Sequence, residues 1–166
     1  MTAQTLSVLV LCTGNSARSI LGEAILNRLG EGGLTAHSAG SQPKEEPHPQ
    51  ALKLLADLGY DTGFARSKSW DEFSGANAPP MDLIFTVCDS AAAEACPVWP
   101  GHPATVHWGI PDPAAATGSE ADIRAAFEKA YSQLEERVAA FVALPLADME
   151  MPELVDELRQ IGKTAT

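Results

Sequence analysis

At 166 residues, with 45% hydrophobic content and three cysteines, the chain carries enough apolar material for one buried core but not two, and too few thiols for a disulfide framework. A formal net charge of -11 and a pI near 4.6 exclude nucleic acid or an anionic membrane surface as its main partner, since both demand a basic face. No apolar stretch reaches membrane-spanning length and the first cationic residue is Arg18, so no spanning helix and no basic leader are expected, and the chain reads as cytoplasmic.

The run LSVLVL, Leu6 to Leu11, is short and rich in valine and leucine, which predicts a strand buried on both faces. CTGNSARS follows, from Cys12 to Ser19. Ile20, Leu21, Ala24, Ile25 and Leu29 then recur at helical spacing until Gly30 and the Gly32-Gly33 pair stop the pattern. Leu34 to Ser38 is a weaker strand. The polar, proline-rich GSQPKEEPHP leads into a second helix with Leu52, Leu55, Ala56 and Leu58 as its apolar residues and Gly59 as its end. Ser69 suits the cap of a short turn over Trp70 to Phe73, GANAPP breaks the chain, and Leu83 to Val87 forms a third strand with Cys88 at its C-terminal end. After CPVWPGHP, Ala104 to Trp108 is a fourth strand, and GIPDP opens the loop that leaves it. Ile123, Phe127, Ala130, Tyr131, Leu134, Val138 and Phe141 keep one face of a long helix. Leu154 to Ile161 marks a shorter one after Pro152.

Strands alternating with helices predict an α/β fold, one domain of three layers in which helices flank a four-stranded parallel sheet. Ligands bind such sheets at the carboxyl ends of the strands, where Cys12, Cys88 and Asp112 all fall. Residues 1–146 are expected to form the catalytic unit, with 147–166 a helical extension packed on it or trailing it.

CTGNSARS has the composition of an oxyanion-binding loop with its own nucleophile. Five residues between cysteine and arginine, Thr13, Gly14, Asn15, Ser16 and Ala17, let the backbone N–H groups converge on a tetrahedral anion while the Arg18 guanidinium grips two of its oxygens. Gly14 supplies backbone freedom and Asn15 tolerates a left-handed conformation. Arg18 and the helix N-terminus near Ser19 favour the Cys12 thiolate, the reactive form of the side chain. Other roles are open at several positions. Asp112 before Pro113 also suits a turn, Ser19 a helix cap, Asn15 loop shaping, and Cys88 and Cys96 small core residues. A metal site from Cys88, Cys96, His102 and His107 is disfavoured, because seven residues between the cysteines is wider than a zinc knuckle. Trp99, Trp108 and Phe73 read as core or loop-packing residues in so acidic a chain, not as a base-stacking platform.

These segments resemble the low-molecular-weight tyrosine phosphatase superfamily and, within it, the arsenate reductases built on the same fold. CTGNSARS resembles the superfamily's loop, SAGS at Ser38 to Ser41 its second strand, SKSWDEF its middle segment and IPDP its acid loop. TVCDSAAAEACPVWPG and HWGIPDP favour the reductase branch. So do two departures from the phosphatases: Ala114, where they carry tyrosine after the acid Asp-Pro, and a loop SQPKEEPH without an aromatic. Many relatives have a second cysteine before the loop arginine, where this chain has Ala17.

The resemblance implies the chemistry. Cys12 attacks arsenate held by the loop and Arg18, Asp112 protonates the departing hydroxide, and Ser19 hydrogen-bonds the thiolate. A second thiol, Cys88, then attacks Cys12, Cys96 attacks Cys88, and an external reductant such as thioredoxin reduces the Cys88–Cys96 disulfide; alternatively glutathione or mycothiol with a glutaredoxin-type partner replaces one or both resolving cysteines. No bound cofactor is implied. The alternatives are a phosphatase for phosphotyrosine or small phosphoesters that needs no cysteine relay, and a non-enzymatic oxyanion sensor that binds without turnover.

Overall fold

Five consecutive residues of the strand β1 (Leu6–Cys12), Val8 to Cys12, are buried, as a central strand covered on both faces requires. A computed structural model describes residues 6–73, 80–87 and 103–164. β1 lies between β2 (Leu34–Gly40) and β3 (Leu83–Thr86), and β4 (Ala104–His107) lies outside β3. All three pairings are parallel, so the sheet has the order β2-β1-β3-β4 and every strand ends at the same edge. Among the described residues the α-helices are α1 (Arg18–Leu29), α2 (Pro49–Asp57), α3 (Glu120–Val142) and α4 (Met151–Thr164).

The alternation of side chains along β1 divides the core in two. Val8, Val10 and Cys12 join the larger cluster, to which all four described helices contribute. Leu9 and Leu11 join a smaller one with Ala39, Ile84, Met81 and Phe73, the last at the end of the 3-10 turn Trp70–Phe73. Ser69 caps that turn as expected, its Oγ accepting from the Asp71 N–H at 3.1 Å. None of the described helices is long and apolar enough to cross a membrane.

The long helix α3 buries Phe127, Ala130, Tyr131, Leu134, Val138 and Phe141, the face read from its spacing, and a Ser119–Asp122 capping box starts it. In the shorter helices the apolar stripe ends sooner than expected. Leu29 in the last turn of α1 is 37% exposed. In α2 Leu55 alone of the expected face is buried, joined by Ala51 and Leu54, while Leu52 is half-buried, Ala56 is exposed and Leu58 is 42% exposed. The His48 cap and Pro49 in the first turn fix the rotation of α2, and the helix ends at Asp57, so Leu58 is carried past the packed face.

Aromatic packing joins α4 to the sheet. Trp108 stacks on Phe85 with ring centroids 4.1 Å apart, meets Phe141 edge-on, and donates its indole N–H to the Leu158 carbonyl at 2.8 Å. Leu154, Val155 and Leu158 are buried in the same cluster, and Pro152, in the first turn of α4, needs no hydrogen-bond partner there. Leu158→Ala should therefore lower the unfolding free energy of the whole chain by about 2–5 kcal/mol in a single urea transition. An unchanged midpoint, or a separate early transition, would contradict this packing.

Candidate active site

β1 and β2 run in register to their last residues, Cys12 opposite Gly40, and the chain then turns out of the sheet into the Cys12–Arg18 loop. The close approach depends on Gly40, because a Cβ there would lie 2.4 Å from the Thr13 carbonyl oxygen and 2.9 Å from that of Cys12. Asn15 takes the predicted left-handed backbone, with φ of 45°.

Four consecutive carbonyls of the loop point outward. Thr13 O accepts from Gln42 N–H at 2.9 Å, Gly14 O from Lys44 N–H at 2.9 Å, Ser16 O from His48 N–H at 2.8 Å, and Asn15 O from the Ser67 hydroxyl at 2.7 Å. In a trans peptide the N–H lies opposite the C=O, so the N–H groups of Gly14, Asn15, Ser16 and Ala17 are turned to the inner side of the loop. That is the arrangement an anion requires. The inner side opens into a cavity of about 260 Å³ lined by Cys12, Thr13, Gly14, Ser16, Ala17, Arg18, Gln42, Lys44, Asp112 and Ala114.

The hydrogen bonds beneath the loop leave Ser19 a hydrogen for the thiol. Asn15 Oδ1 accepts from the Lys68 backbone N–H at 2.9 Å, which makes Nδ2 the donor to Ser19 Oγ at 2.8 Å and to Ser38 Oγ at 2.9 Å. The Ser19 oxygen thereby accepts from Asn15 while its own hydrogen stays available to Cys12 Sγ, 3.0 Å away, and a thiolate there can only accept it. Ser38 passes its own hydrogen to Glu23, whose carboxylate lies 3.8 Å from the Lys68 ammonium. Glu23 and Lys68 are 6% and 7% exposed, so the loop stands on a desolvated ion pair. Burial pushes the Glu23 carboxyl up despite its bond to Ser38 and the nearby Lys68 and Arg66 charges. Burial likewise pulls the Lys68 ammonium down against the attraction of Glu23.

Across the cavity Arg18, 16% exposed in its side chain, donates to the Ile110 carbonyl at 3.1 Å and lies 3.6 Å from Asp112 Oδ2. Asp112 takes the turn role and also faces the pocket. Oδ1 accepts from Ala114 N–H at 2.9 Å and caps the turn Pro113–Ala115, while Oδ2 faces Arg18 and the cavity. With 41% of its side chain exposed, Asp112 is open to solvent.

The structure thus brings together Cys12, Ser19, Asn15, Arg18 and Asp112, with Thr13, Gly14, Ser16 and Ala17 on the cavity wall. Cys88, Cys96, His102 and Trp99 lie outside the described residues. His107 Nδ1 shares a 2.8 Å hydrogen bond with the Thr86 hydroxyl, and Trp108 and Phe73 are buried in the core as expected. Sequence reasoning missed Glu23, Ser38, Ser67, Lys68, Gln42 and Lys44. For Glu23 a signal existed: it is the only charged residue between Arg18 and Arg28, in a helix otherwise read as apolar.

Comparison with known proteins agrees with this geometry. The family model for low molecular weight phosphotyrosine protein phosphatase matches residues 7–151, a span that runs from β1 past the acid loop to the start of α4. The chain belongs to that family. Among members of known sequence, the arsenate reductase of Bacillus licheniformis is 33% identical over 135 residues, covering 81% of this chain and 94% of that protein. The arsenate reductase of Bacillus subtilis is 34% identical over 131 residues, covering 79% and 91%. The crystal structure of arsenate reductase from Archaeoglobus fulgidus superposes with a TM-score of 0.65 at 28% identity, over 82% of this chain and 99% of that one.

Asn15→Gly keeps the left-handed backbone accessible but deletes the side-chain bonds to Ser19, Ser38 and Lys68. It should cost about 2–4 kcal/mol of stability and abolish the protection that inorganic phosphate gives Cys12 against alkylation, measured with Cys88 and Cys96 replaced by serine. Retained protection would show that the network is idle. A pH effect follows from His48, which caps α2 by accepting the Gln50 N–H on Nδ1 at 3.1 Å and packs on Phe127. Burial, aided by Lys44 and opposed by Asp112, holds its imidazole below the ordinary value. The unfolded chain therefore binds that proton first, near pH 6.5, and stability should fall as pH drops from 7.5 to 5.5. His48→Gln should flatten part of that decline in denaturant titrations at the two pH values. A parallel decline in the variant would contradict the assignment.

Proposed function

We propose that this chain reduces arsenate to arsenite, with Cys12 as the nucleophile. The observation that carries the reading is the wall of the cavity: a thiol, a guanidinium, a carboxyl group and inward-turned amides, with no aromatic side chain among the described residues that line it. A phosphotyrosine ring finds no stacking partner on that wall, whereas a small inorganic oxyanion needs none. Ala114 contributes to the surface at the position where the resemblance calls for a phosphatase tyrosine. Arsenate reductases that are 33% and 34% identical over most of both chains support the same reading.

The thiolate attacks arsenic while the amides of Gly14 to Ala17 and Arg18 take up the oxyanion charge. Asp112 gives its proton to the departing hydroxide, which leaves as water, and a Cys12–S–As bond remains. A second thiolate then attacks Cys12 Sγ. The electron pair of the S–As bond stays on arsenic, which leaves as arsenite, and a disulfide forms in its place. Cys88 is our candidate for the second thiol and Cys96 for the next, with the final disulfide reduced from outside by thioredoxin, glutathione with glutaredoxin, or mycothiol. The oxyanion and an external thiol are accordingly the partners of the reaction.

Arsenite release from arsenate by the purified protein, with each reducing system in parallel, tests the proposal. Cys12→Ser should abolish turnover, Asp112→Asn should lower kcat by about 10²–10⁴-fold, and Cys88→Ser should end multiple turnover. Efficient hydrolysis of p-nitrophenyl phosphate with no arsenite from any system would replace the reductase with the phosphatase. Binding with neither reaction would identify a sensor.

A further inference from the structure

We propose that Lys44 is a substrate-binding residue that completes the charge of the oxyanion pocket and selects for a small, doubly charged inorganic anion. The inference builds on the reading of the pocket as an oxyanion site and adds a residue to which none of the chemistry above gives a role.

Two observations place Lys44 there. Its backbone N–H donates to the Gly14 carbonyl at 2.9 Å, one of the contacts that hold the loop carbonyls outward. Its side chain lies over the loop, because a Cβ built on Gly14 would be 3.3 Å from both Cγ and Cε of Lys44. The aliphatic stem therefore forms the rim over Gly14, and the ammonium projects from a residue that lines the same cavity as Cys12 and Arg18.

Charge balance gives this position its purpose. Among the described residues the charged side chains on the cavity wall are Arg18, Lys44 and Asp112, beside Cys12, whose attacking form is the thiolate. Arg18 is already engaged, by a hydrogen bond to Ile110 O and by Asp112 Oδ2 at 3.6 Å, contacts that hold the acid loop against the site. A dianion brought against a thiolate exceeds what one shared guanidinium can neutralise, and a compact, hydrated ammonium with rotatable donors is the complement suited to a small anion. An aryl monoester carries a comparable charge but adds a bulky apolar group, so a charged rim over the loop favours the inorganic oxyanion by size. Carbonyl-to-amide bonds on both sides of Lys44, from Gln42 to Thr13 and from His48 to Ser16, keep the rim in place when its side chain is changed.

Calorimetric titration of the whole protein with inorganic phosphate, beside steady-state arsenate reduction, tests this. Lys44→Met should weaken phosphate binding and raise KM for arsenate about tenfold, equivalent to about 1.4 kcal/mol, with kcat within about twofold and the melting temperature unchanged. Lys44→Arg should restore most of the affinity, and the variant without the cation should lose part of the salt dependence of binding. Phosphate affinity in Lys44→Met within twofold of the parent would overturn the proposal, as would a loss of affinity that Lys44→Arg fails to recover. A parent that binds phosphate in a Lys44-dependent way but reduces no arsenate would overturn the reductase reading and leave the role of Lys44 intact.

Discussion

Thr13, Gly14, Asn15 and Ser16 turn their carbonyl oxygens away from the pocket, onto Gln42, Lys44, Ser67 and His48, and the rest of the site depends on that orientation. Peptide planarity turns the amide hydrogens the other way, so a concave donor surface exists before any anion arrives. Preorganisation of this kind matters energetically because donors already aimed at developing charge need no reorganisation during reaction. The partners of those carbonyls come from two separate stretches, the segment after β2 and the segment before the Trp70–Phe73 turn. The loop is therefore a product of the tertiary fold as much as of its own sequence.

The same design explains why polar groups are buried beneath the loop. A left-handed Asn15 is strained in isolation, and its side chain offsets this by bonding Ser19, Ser38 and the Lys68 backbone. Ser38 in turn is held by Glu23, and Glu23 by Lys68. Each link uses up an acceptor or donor that would otherwise be free to rotate, and the last free hydrogen, on Ser19, has Cys12 as its target. A desolvated ion pair is an expensive foundation. It holds Asn15, and through Asn15 the Ser19 hydroxyl, beside the nucleophile.

Much of this was legible in the chain. The alternation of short apolar runs with helical patterns revealed the parallel sheet, because strands covered on both faces must be continuously apolar and their connections must cross over. The Cys12–Arg18 spacing and the Asp112-Pro113 pair identified both sides of the pocket from local sequence alone. The support beneath the loop was not legible, since Glu23, Ser38 and Lys68 are brought together only by packing of α1 on β2 and of the 66–68 segment on Asn15. Helix ends were also hidden. Leu29 and Leu58 continue an apolar rhythm in sequence that the folded helices no longer bury, because burial depends on where a helix stops against its neighbours and not on its period.

On the proposed mechanism Cys12 ends its attack on arsenate by giving up the arsenic together with the electron pair of the S–As bond. A single turnover of the fully reduced protein with arsenate and no external reductant tests this most directly, with arsenite quantified and the disulfide located by peptide mass mapping. The account predicts about one equivalent of arsenite per chain and a new disulfide that includes Cys88, with neither product formed by Cys12→Ser. Cysteines that remain reduced, with no arsenite released, would contradict it.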